Sequence, residues 1–207
     1  MAYDPKIHHR RSIRLRGHDY SGGSAYFITS CTKDNACMFG QIVEDQMMIS
    51  GPGRVVEDAW LGLPRRFPGV VLDAHQVMPN HFHGIIVIPG PGLEPALAKA
   101  TGAPVIHPYG RVGPGLAPSE RAFRASPAKA GPRAGPTKHV SLTAVVGAFK
   151  SLSAIAVNRA LAGAGKRLWQ EDYYEHIIRD VAELEKIRDY IVHNPARWHD
   201  DSENFDS

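Results

Sequence analysis

Two groups of residues in this sequence could together do chemistry on a phosphate ester. His81-Phe82-His83 sets two imidazoles two residues apart, and Tyr190 and Asn194 lie four residues apart much later in the chain. Two imidazoles and an amide oxygen can hold a divalent metal ion, and a tyrosine hydroxyl is a nucleophile. A bound ion would polarise the phosphate while the tyrosine attacks in line. Because tyrosine titrates at about pH 10 in water, the site must also favour the phenolate or accept its proton.

A strand is expected to position the two histidines. Residues 81–88 are mostly β-branched and apolar and follow the turn signal Pro79-Asn80, a pattern typical of a buried strand. Alternate side chains of a strand share a face, so His81 and His83 point the same way and Phe82 enters the opposite packing layer. An isolated His-x-His is more often a pair of hydrogen-bonded core histidines. The metal hypothesis therefore depends on the second group of residues.

A helix is expected to position that second group. Asp180 and Glu183 form a capping pattern at its start, and Pro195 follows its end. Tyr190 and Asn194 are neighbours on one face of this helix. The apolar stripe of the helix, which faces the core, consists of Leu184, Ile187 and Ile191. Tyr190 and Asn194 lie about 100° around the helix from this stripe.

The other predicted elements indicate the fold class. Their tight connections exclude a wholly parallel sheet, so we expect an α+β sandwich with helices on an antiparallel sheet. The predicted strands are 25–32, a hairpin of 41–43 with 47–49, 70–78 paired with 81–88, and short segments at 168–170 and 174–179; the predicted helices start at Ser50, Ser141 and Asp180.

The composition is that of a soluble globular protein. Of 207 residues, 43% are hydrophobic and 22% are charged, and no apolar stretch is long enough to cross a bilayer. The N-terminus has no apolar signal core, so a cytoplasmic location is expected. Cys31 and Cys37 lack the CxxC spacing and are predicted to be reduced thiols, with metal ligation beside the histidines as the alternative.

Two segments lie outside the predicted fold elements. Residues 6–18 carry five basic side chains and no acid, which suits either a phosphate-contacting arm or a solvated tail. Residues 89–137 contain ten prolines and eight glycines, so we expect an insertion within a single domain, mobile when free. Its basic excess is compatible with holding nucleic acid or with a tolerated surface loop. Lys150 and Arg159, off the apolar stripe of their helix, could touch phosphates or simply solubilise it.

The two groups of candidate residues belong to an ordered series of motifs spread over residues 10–205, apart from the insertion. The series resembles the HUH single-strand DNA transposases with one catalytic tyrosine, and within them the REP-associated tyrosine transposases. The matching motifs are Arg10-Arg11-Ser12-Ile13-Arg14-Leu15, Val77-Met78-Pro79-Asn80 before the histidine pair, Ala148-Phe149-Lys150-Ser151, residues 168–179 (LWQEDYYEHIIR), Tyr190-Ile191-Val192-His193-Asn194-Pro195, and Trp198.

This resemblance implies a ferredoxin-like antiparallel sheet with the histidine pair on a central strand. It implies a bacterial, nucleoid-associated enzyme that cleaves single-stranded DNA near hairpins of repetitive palindromes through a 5′-phosphotyrosine on Tyr190. The metal ligands would be His81, His83 and Asn194, the last at a position where relatives often carry glutamine. The ion would be Mg²⁺ or Mn²⁺, and the protein a monomer or homodimer. DNA contacts are predicted at Arg10, Arg11, Arg14, Arg16 and Lys150.

Two other function classes are compatible with part of this set of residues. A domesticated protein could bind hairpin DNA without cleaving it, but all four candidate site residues are intact. An unrelated metal hydrolase could use the histidine pair, but the sequence lacks the further ligand motifs of such enzymes. Tyr173 and Tyr174 are rival nucleophiles by residue type, yet neither has an amide four residues later.

Overall fold

The computed structural model describes residues 23–101, 140–162, 166–201 and 203–204. The arginines predicted to contact DNA, Arg10, Arg11, Arg14 and Arg16, lie outside these residues. Most of the predicted insertion, from residue 102 onward, does so as well.

The described chain forms a four-stranded antiparallel sheet, which confirms the predicted α+β class. The strand order is β4-β5-β1-β6, so β5, which begins with His81-Phe82-His83, is a central strand. A separate hairpin, β2 with β3, turns at Glu44-Asp45, where both residues have positive φ as a tight hairpin turn requires. The strands are β1 Ser24–Cys31, β2 Gly40–Val43, β3 Gln46–Ile49, β4 Val71–Val77, β5 His81–Ile88 and β6 Tyr174–Ile178.

Three of the helices begin at the predicted caps. The side chains of Ser50, Ser141 and Asp180 each accept a hydrogen bond from the backbone N–H three residues later, which satisfies one donor of the first helical turn. The helices are α1 Gly51–Leu61, α2 Leu63–Arg66, α3 Pro95–Ala100, α4 Leu142–Ala160 and α5 Val181–His193, with 3₁₀ turns at Lys33–Asn35 and Pro195–Asp200.

Helix α3 differs from the sequence expectation. The composition predicted an irregular segment from residue 89, but Glu94 caps a short helix with Pro95 in its first turn. Leu97 of this helix is buried against the sheet and α5. One apolar anchor, a cap and a favourable proline are enough to order these residues on the domain.

The sheet has two covered faces with different cores. The first, here called the core face, lies under α1 and α4, where Trp60 and Phe149 contact Phe82 of β5. The indole of Trp60 lies so close to β5 that a Cβ at Gly84 would be 2.5 Å from it, so glycine permits this packing. The second, the site face, lies under α5 and α3 and includes Ala25, Phe27, Ile85, Val87, Leu184 and Ile191.

Strand β4 carries a bulge opposite β5. Leu72 pairs with Ile86 and His75 with Gly84, so Asp73 and Ala74 together oppose Ile85. As a result both Asp73 and Ala74 lie on the site face, where Ala74 packs in the apolar cluster and Asp73 meets α5.

The cysteine prediction is confirmed, because neither Cys31 nor Cys37 is part of a disulfide. None of the helices in the described ranges has both the length and the apolar character that a membrane span requires.

Candidate functional site

The histidine pair lies on the site face, as the two-residue periodicity predicts. His81 and His83 are 0% and 2% exposed, and their Nε2 atoms are 3.0 Å apart. Between them Phe82 points to the core face, with its ring centroid 4.8 Å from that of Trp60 and 4.9 Å from that of Phe149. The strand thus aims both imidazoles at one point while its own packing fixes their direction.

Each imidazole is held by its other ring nitrogen. The Nδ1 atom of His81 lies 2.8 Å from Asn80 Oδ1, and that of His83 lies 2.8 Å from the Thr29 hydroxyl on the neighbouring strand β1. Such contacts fix the ring orientation of metal-binding histidines and leave Nε2 for the ion.

Burial keeps both imidazoles neutral. It lowers the pKa of His81 to about 3. Burial also lowers the pKa of His83 well below its usual value, with a further decrease from His81 and an opposing effect of Asp201. A neutral imidazole has a lone pair that a cation can accept, so the pair is in the protonation state that metal binding needs.

Asp201 joins the pair and was missed by the sequence reasoning. The 3₁₀ turn after α5 brings its buried carboxylate to 3.7 Å from His81 Nε2, and the ligand atoms of His81, His83 and Asp201 all lie within 4.8 Å of one another. This group could bind a metal ion. The acidic pair Asp200-Asp201 after Trp198 was a visible signal, but the turn that places it could not be predicted from periodicity.

Two buried oxygen atoms, one at the end of α5 and one after the following 3₁₀ turn, lack a hydrogen-bond donor. Among the described residues, Asn194 Oδ1 and Asp201 Oδ2 are buried and have no hydrogen-bond partner. A buried acceptor without a partner is costly, and a bound ion would remove that cost. Asn194 was predicted as a ligand, and its 1% exposure at the end of α5 is compatible with that role.

Tyr190 lies over the same group. Its ring is 5.3 Å from that of His83 and 6.0 Å from that of Phe27, both edge-on, and the residue is 36% exposed. Burial raises the pKa of Tyr190 to about 12; Asp201 adds to this, and a hydrogen bond from the Asn194 side chain opposes it. The resting hydroxyl is therefore protonated.

Comparisons with known proteins place the chain in a family and identify its fold. No protein-family model matches the chain. An uncharacterised protein of Haemophilus influenzae is 34% identical over 201 residues, which cover 96% of this chain and 95% of that protein, so the two belong to one family. Among solved structures, the REP-associated tyrosine transposase bound to a REP hairpin matches with a TM-score of 0.51 at 15% identity, over 90% of this chain and 74% of that one. The chain has the REP-associated tyrosine transposase fold. This confirms the predicted resemblance at the level of the fold.

A second solved structure, a candidate transposase from Deinococcus radiodurans, has a TM-score of 0.38 at 17% identity. It covers 86% of this chain and 94% of that one.

The two alternative nucleophiles, Tyr173 and Tyr174, lie in different places in this fold. Tyr174 contacts the Phe27 ring at 6.2 Å and is 37% exposed, so it borders the site. Tyr173 packs instead against the core face, where Lys150 Nζ lies 5.9 Å from its ring. Tyr190, by contrast, contacts the ring of His83 directly.

Lys150, a predicted DNA contact, has a structural task in this fold. Its ammonium donates to the backbone carbonyls of Gln170, Glu171 and Asp172 at 2.8, 2.8 and 3.0 Å. An ammonium has three N–H donors, and here all three are used. Burial lowers the pKa of Lys150, against the opposing charges of Asp172 and Glu171. DNA binding by Lys150 stays a prediction, but the geometry favours anchoring of the loop before β6.

Proposed function

We propose that this protein is a metal-dependent single-strand DNA nuclease and strand transferase of the DNA transposase type, acting through a 5′-phosphotyrosine on Tyr190. The observation that carries the proposal is the contact of a part-exposed tyrosine with the buried cluster of His81, His83 and Asp201. A nucleophile next to two neutral imidazoles and a carboxylate that can hold a metal ion is an arrangement suited to in-line displacement at phosphorus.

The ligands of the proposed ion are His81, His83, Asp201 and Asn194. Carboxylate and amide oxygens suit Mg²⁺ or Mn²⁺, and the imidazoles are also acceptable to Mn²⁺. When bound, the ion would supply Lewis acidity to a non-bridging phosphate oxygen and favour the phenolate of the nearby tyrosine. The unpartnered oxygens of Asn194 and Asp201 support this ligand set.

The chain's own residues account for the steps of the reaction. The Tyr190 hydroxyl loses its proton to water at its exposed side, and its oxygen forms a bond to the scissile phosphorus. The bond from phosphorus to the 3′ oxygen breaks, and that oxygen takes a proton to leave as a free 3′-hydroxyl. In rejoining, a 3′-hydroxyl attacks the phosphotyrosine and expels Tyr190, so no ATP is needed.

The proposed substrate is single-stranded DNA that carries a hairpin of a repetitive palindrome. The solved REP-associated tyrosine transposase, whose fold this chain shares, is bound to a REP hairpin. The basic segment that contains Arg10, Arg11, Arg14 and Arg16 is proposed to contact the phosphates of such a substrate, because dense positive charge favours polyanions.

A covalent-adduct assay tests this proposal. Full-length protein is incubated with labelled hairpin oligonucleotides in Mg²⁺ or Mn²⁺, denatured, and analysed for protein-linked DNA. We expect an adduct with the wild type and none with Tyr190→Phe or with a chelator present. Tyr174→Phe is the matched control, since it removes an exposed hydroxyl beside the same site and should retain the adduct.

Two outcomes would contradict the proposal. An undiminished adduct in Tyr190→Phe would refute the assignment of the nucleophile. Tight hairpin binding by the wild type with no adduct in either metal would instead favour a DNA-binding protein that does not cleave.

A further inference from the structure

A chain of hydrogen bonds links the C-terminal turn to the first histidine of the pair. The Asn80 side chain donates from Nδ2 to the backbone carbonyl of Glu203 at 2.6 Å, and its Oδ1 lies 2.8 Å from His81 Nδ1. Asn80 is 1% exposed, His81 is 0% exposed and Glu203 is 8% exposed. Water therefore competes little for these contacts.

The direction of each bond follows from its partners. A backbone carbonyl can only accept, so the Asn80 amide must turn its NH₂ group towards Glu203 and its oxygen towards His81. That oxygen can only accept as well, so Nδ1 of His81 must carry the hydrogen. A neutral imidazole has one N–H, so Nε2 of His81 is left with a lone pair directed at His83 and Asp201.

His83 is held by a partner that imposes no direction. The Thr29 hydroxyl can donate to Nδ1 of His83 or accept from it. Without a metal ion, His83 can donate from Nε2 to the lone pair of His81, 3.0 Å away, while Thr29 donates to its Nδ1. With an ion present, His83 can change to the other tautomer and donate to Thr29.

The turn that orients Asn80 also carries the acidic ligand. The N–H of Glu203 donates to Asp201 Oδ1 at 2.8 Å, and the Cys31 thiol donates to Glu203 Oε2 at 3.3 Å. Asp201 thus presents its carboxylate to the cluster. Glu203 orients Asn80, and Asn80 in turn directs the Nε2 lone pair of His81 into the same cluster.

We propose that Asn80 is a positioning residue that holds His81 in the Nδ1–H tautomer and so presents its Nε2 lone pair to a divalent cation, whereas His83 changes tautomer on Thr29. The consequence for cation binding rests on the proposed function, but the tautomer of metal-free His81 does not. In this step the Nε2–H bond of His83 breaks and an Nδ1–H bond forms, so the ring keeps one proton and stays neutral.

The primary test is ¹⁵N NMR of the histidine rings in full-length, metal-free protein. We expect His81 as the Nδ1–H tautomer and His83 as the Nε2–H tautomer in the wild type. In Asn80→Ala, which removes the oxygen acceptor, His81 should become a mixture or change to Nε2–H. Asn80→Ser, which keeps a small polar acceptor, should retain part of the wild-type signal and serves as the second variant if the alanine protein does not fold.

Thr29 provides the matched control on the other histidine. In metal-free protein Thr29→Val should leave both tautomers unchanged, because Nε2–H of His83 still donates to the lone pair of His81, and Thr29→Ser should preserve both as well. His81 as Nε2–H in the wild type, or unchanged in a folded Asn80→Ala protein, would overturn the inference.

Mn²⁺ binding to the same proteins, measured by EPR of the free ion, gives a readout that a merely structural role would not move. We expect Asn80→Ala to weaken the affinity by about tenfold to a hundredfold, the usual effect of removing the partner of a ligating histidine. Thermal unfolding of each variant checks that the fold is retained. If the wild type does not bind Mn²⁺, the metal part of the proposed function fails. The tautomer of His81 in the metal-free wild type and in Asn80→Ala still tests the role of Asn80.

Discussion

The two faces of β5 are buried equally but respond to burial in opposite ways. On the core face Phe82 is 0% exposed and lies between the rings of Trp60 and Phe149. On the site face His81 and His83 are just as buried, yet burial lowers their pKa values. Removal from water stabilises an apolar ring but destabilises a charged imidazole. One strand therefore supplies packing energy on one side and a set of neutral ligands on the other.

The largest effect is expected from a substitution on the core face. Phe82→Ala should lower the free energy of unfolding by about 3–5 kcal/mol, because it leaves a cavity between two large rings. Chemical denaturation measures the change, and Phe82→Leu should cost clearly less. A loss below about 1 kcal/mol would mean that the aromatic cluster does not hold β5 in place.

The corresponding substitution on the site face should affect binding more than stability. His83→Ala should weaken Mn²⁺ affinity at least about a hundredfold, about 2.7 kcal/mol, since it removes a direct ligand. It should destabilise the fold less than Phe82→Ala does. Calorimetric titration measures the affinity. His176→Ala is the control, because that histidine pairs with Glu183 and is not one of the proposed ligands, so its loss should leave binding unchanged.

A smaller effect is expected where the site-face helix is attached to the sheet. Arg188 of α5 donates to both carboxylate oxygens of Asp73, at 2.7 and 2.5 Å, and to the carbonyl of Ala100 in α3 at 3.1 Å. The hydrogen bond to Asp73 raises the pKa of Arg188, against the effect of burial. Asp73→Asn should cost about 1.5–3 kcal/mol of unfolding free energy, the range for hydrogen bonds to charged groups.

The same substitution should slow adduct formation, since α5 carries Tyr190. Glu185→Gln is the control, because Glu185 pairs with the same arginine at an exposed position and should change stability less. Equal losses in the two variants would show that burial of Asp73 adds nothing to the attachment.

The smallest effect is expected at the start of α5 and depends on pH. The pKa of Glu183 is lowered; burial acts against this, but hydrogen bonds from the Arg179 N–H and from His176 outweigh it. Because the folded state favours the carboxylate, its contribution is present above the ordinary pKa and is lost as the pH falls through the lowered value. Glu183→Gln should remove that contribution, by less than about 1 kcal/mol. Urea unfolding between pH 3 and about 6 measures it, and a variant with an unchanged acid profile would contradict the assignment.

Local patterns predicted most of the fold. The caps Ser50, Ser141 and Asp180 are helix starts because a side-chain oxygen there satisfies a backbone donor whatever the tertiary context. The face assignment of His81, Phe82 and His83 follows from strand periodicity alone. Helix α3 was missed because its stability comes from packing of Leu97 on a distant part of the chain, which composition does not reveal.

Site residues were predictable where a helix or strand positions them, and not where a turn does. The relation of Tyr190 to Asn194 is set by helix geometry, and the histidine pair by strand geometry. Asp201 reaches the cluster only through the path of a 3₁₀ turn. Lys150 looked like a solvent-facing cation, but its partners are carbonyls about twenty residues later in the chain. Such non-local contacts leave no periodic signal.

The bulge in β4 adds the residue that attaches α5 to the sheet, so this attachment could be gained or lost by inserting or deleting one residue of β4. Deletion of either Asp73 or Ala74 would leave one residue opposite Ile85, with the pairs Leu72–Ile86 and His75–Gly84 intact. Every other strand residue would keep its face, so the sheet would survive this deletion. A deletion elsewhere in β4 would move the following side chains to the opposite face of the sheet. The remaining residue could be an anchor for Arg188 or a packing residue, but not both. Shorter homologues could thus keep the same sheet and hold the tyrosine helix by different means.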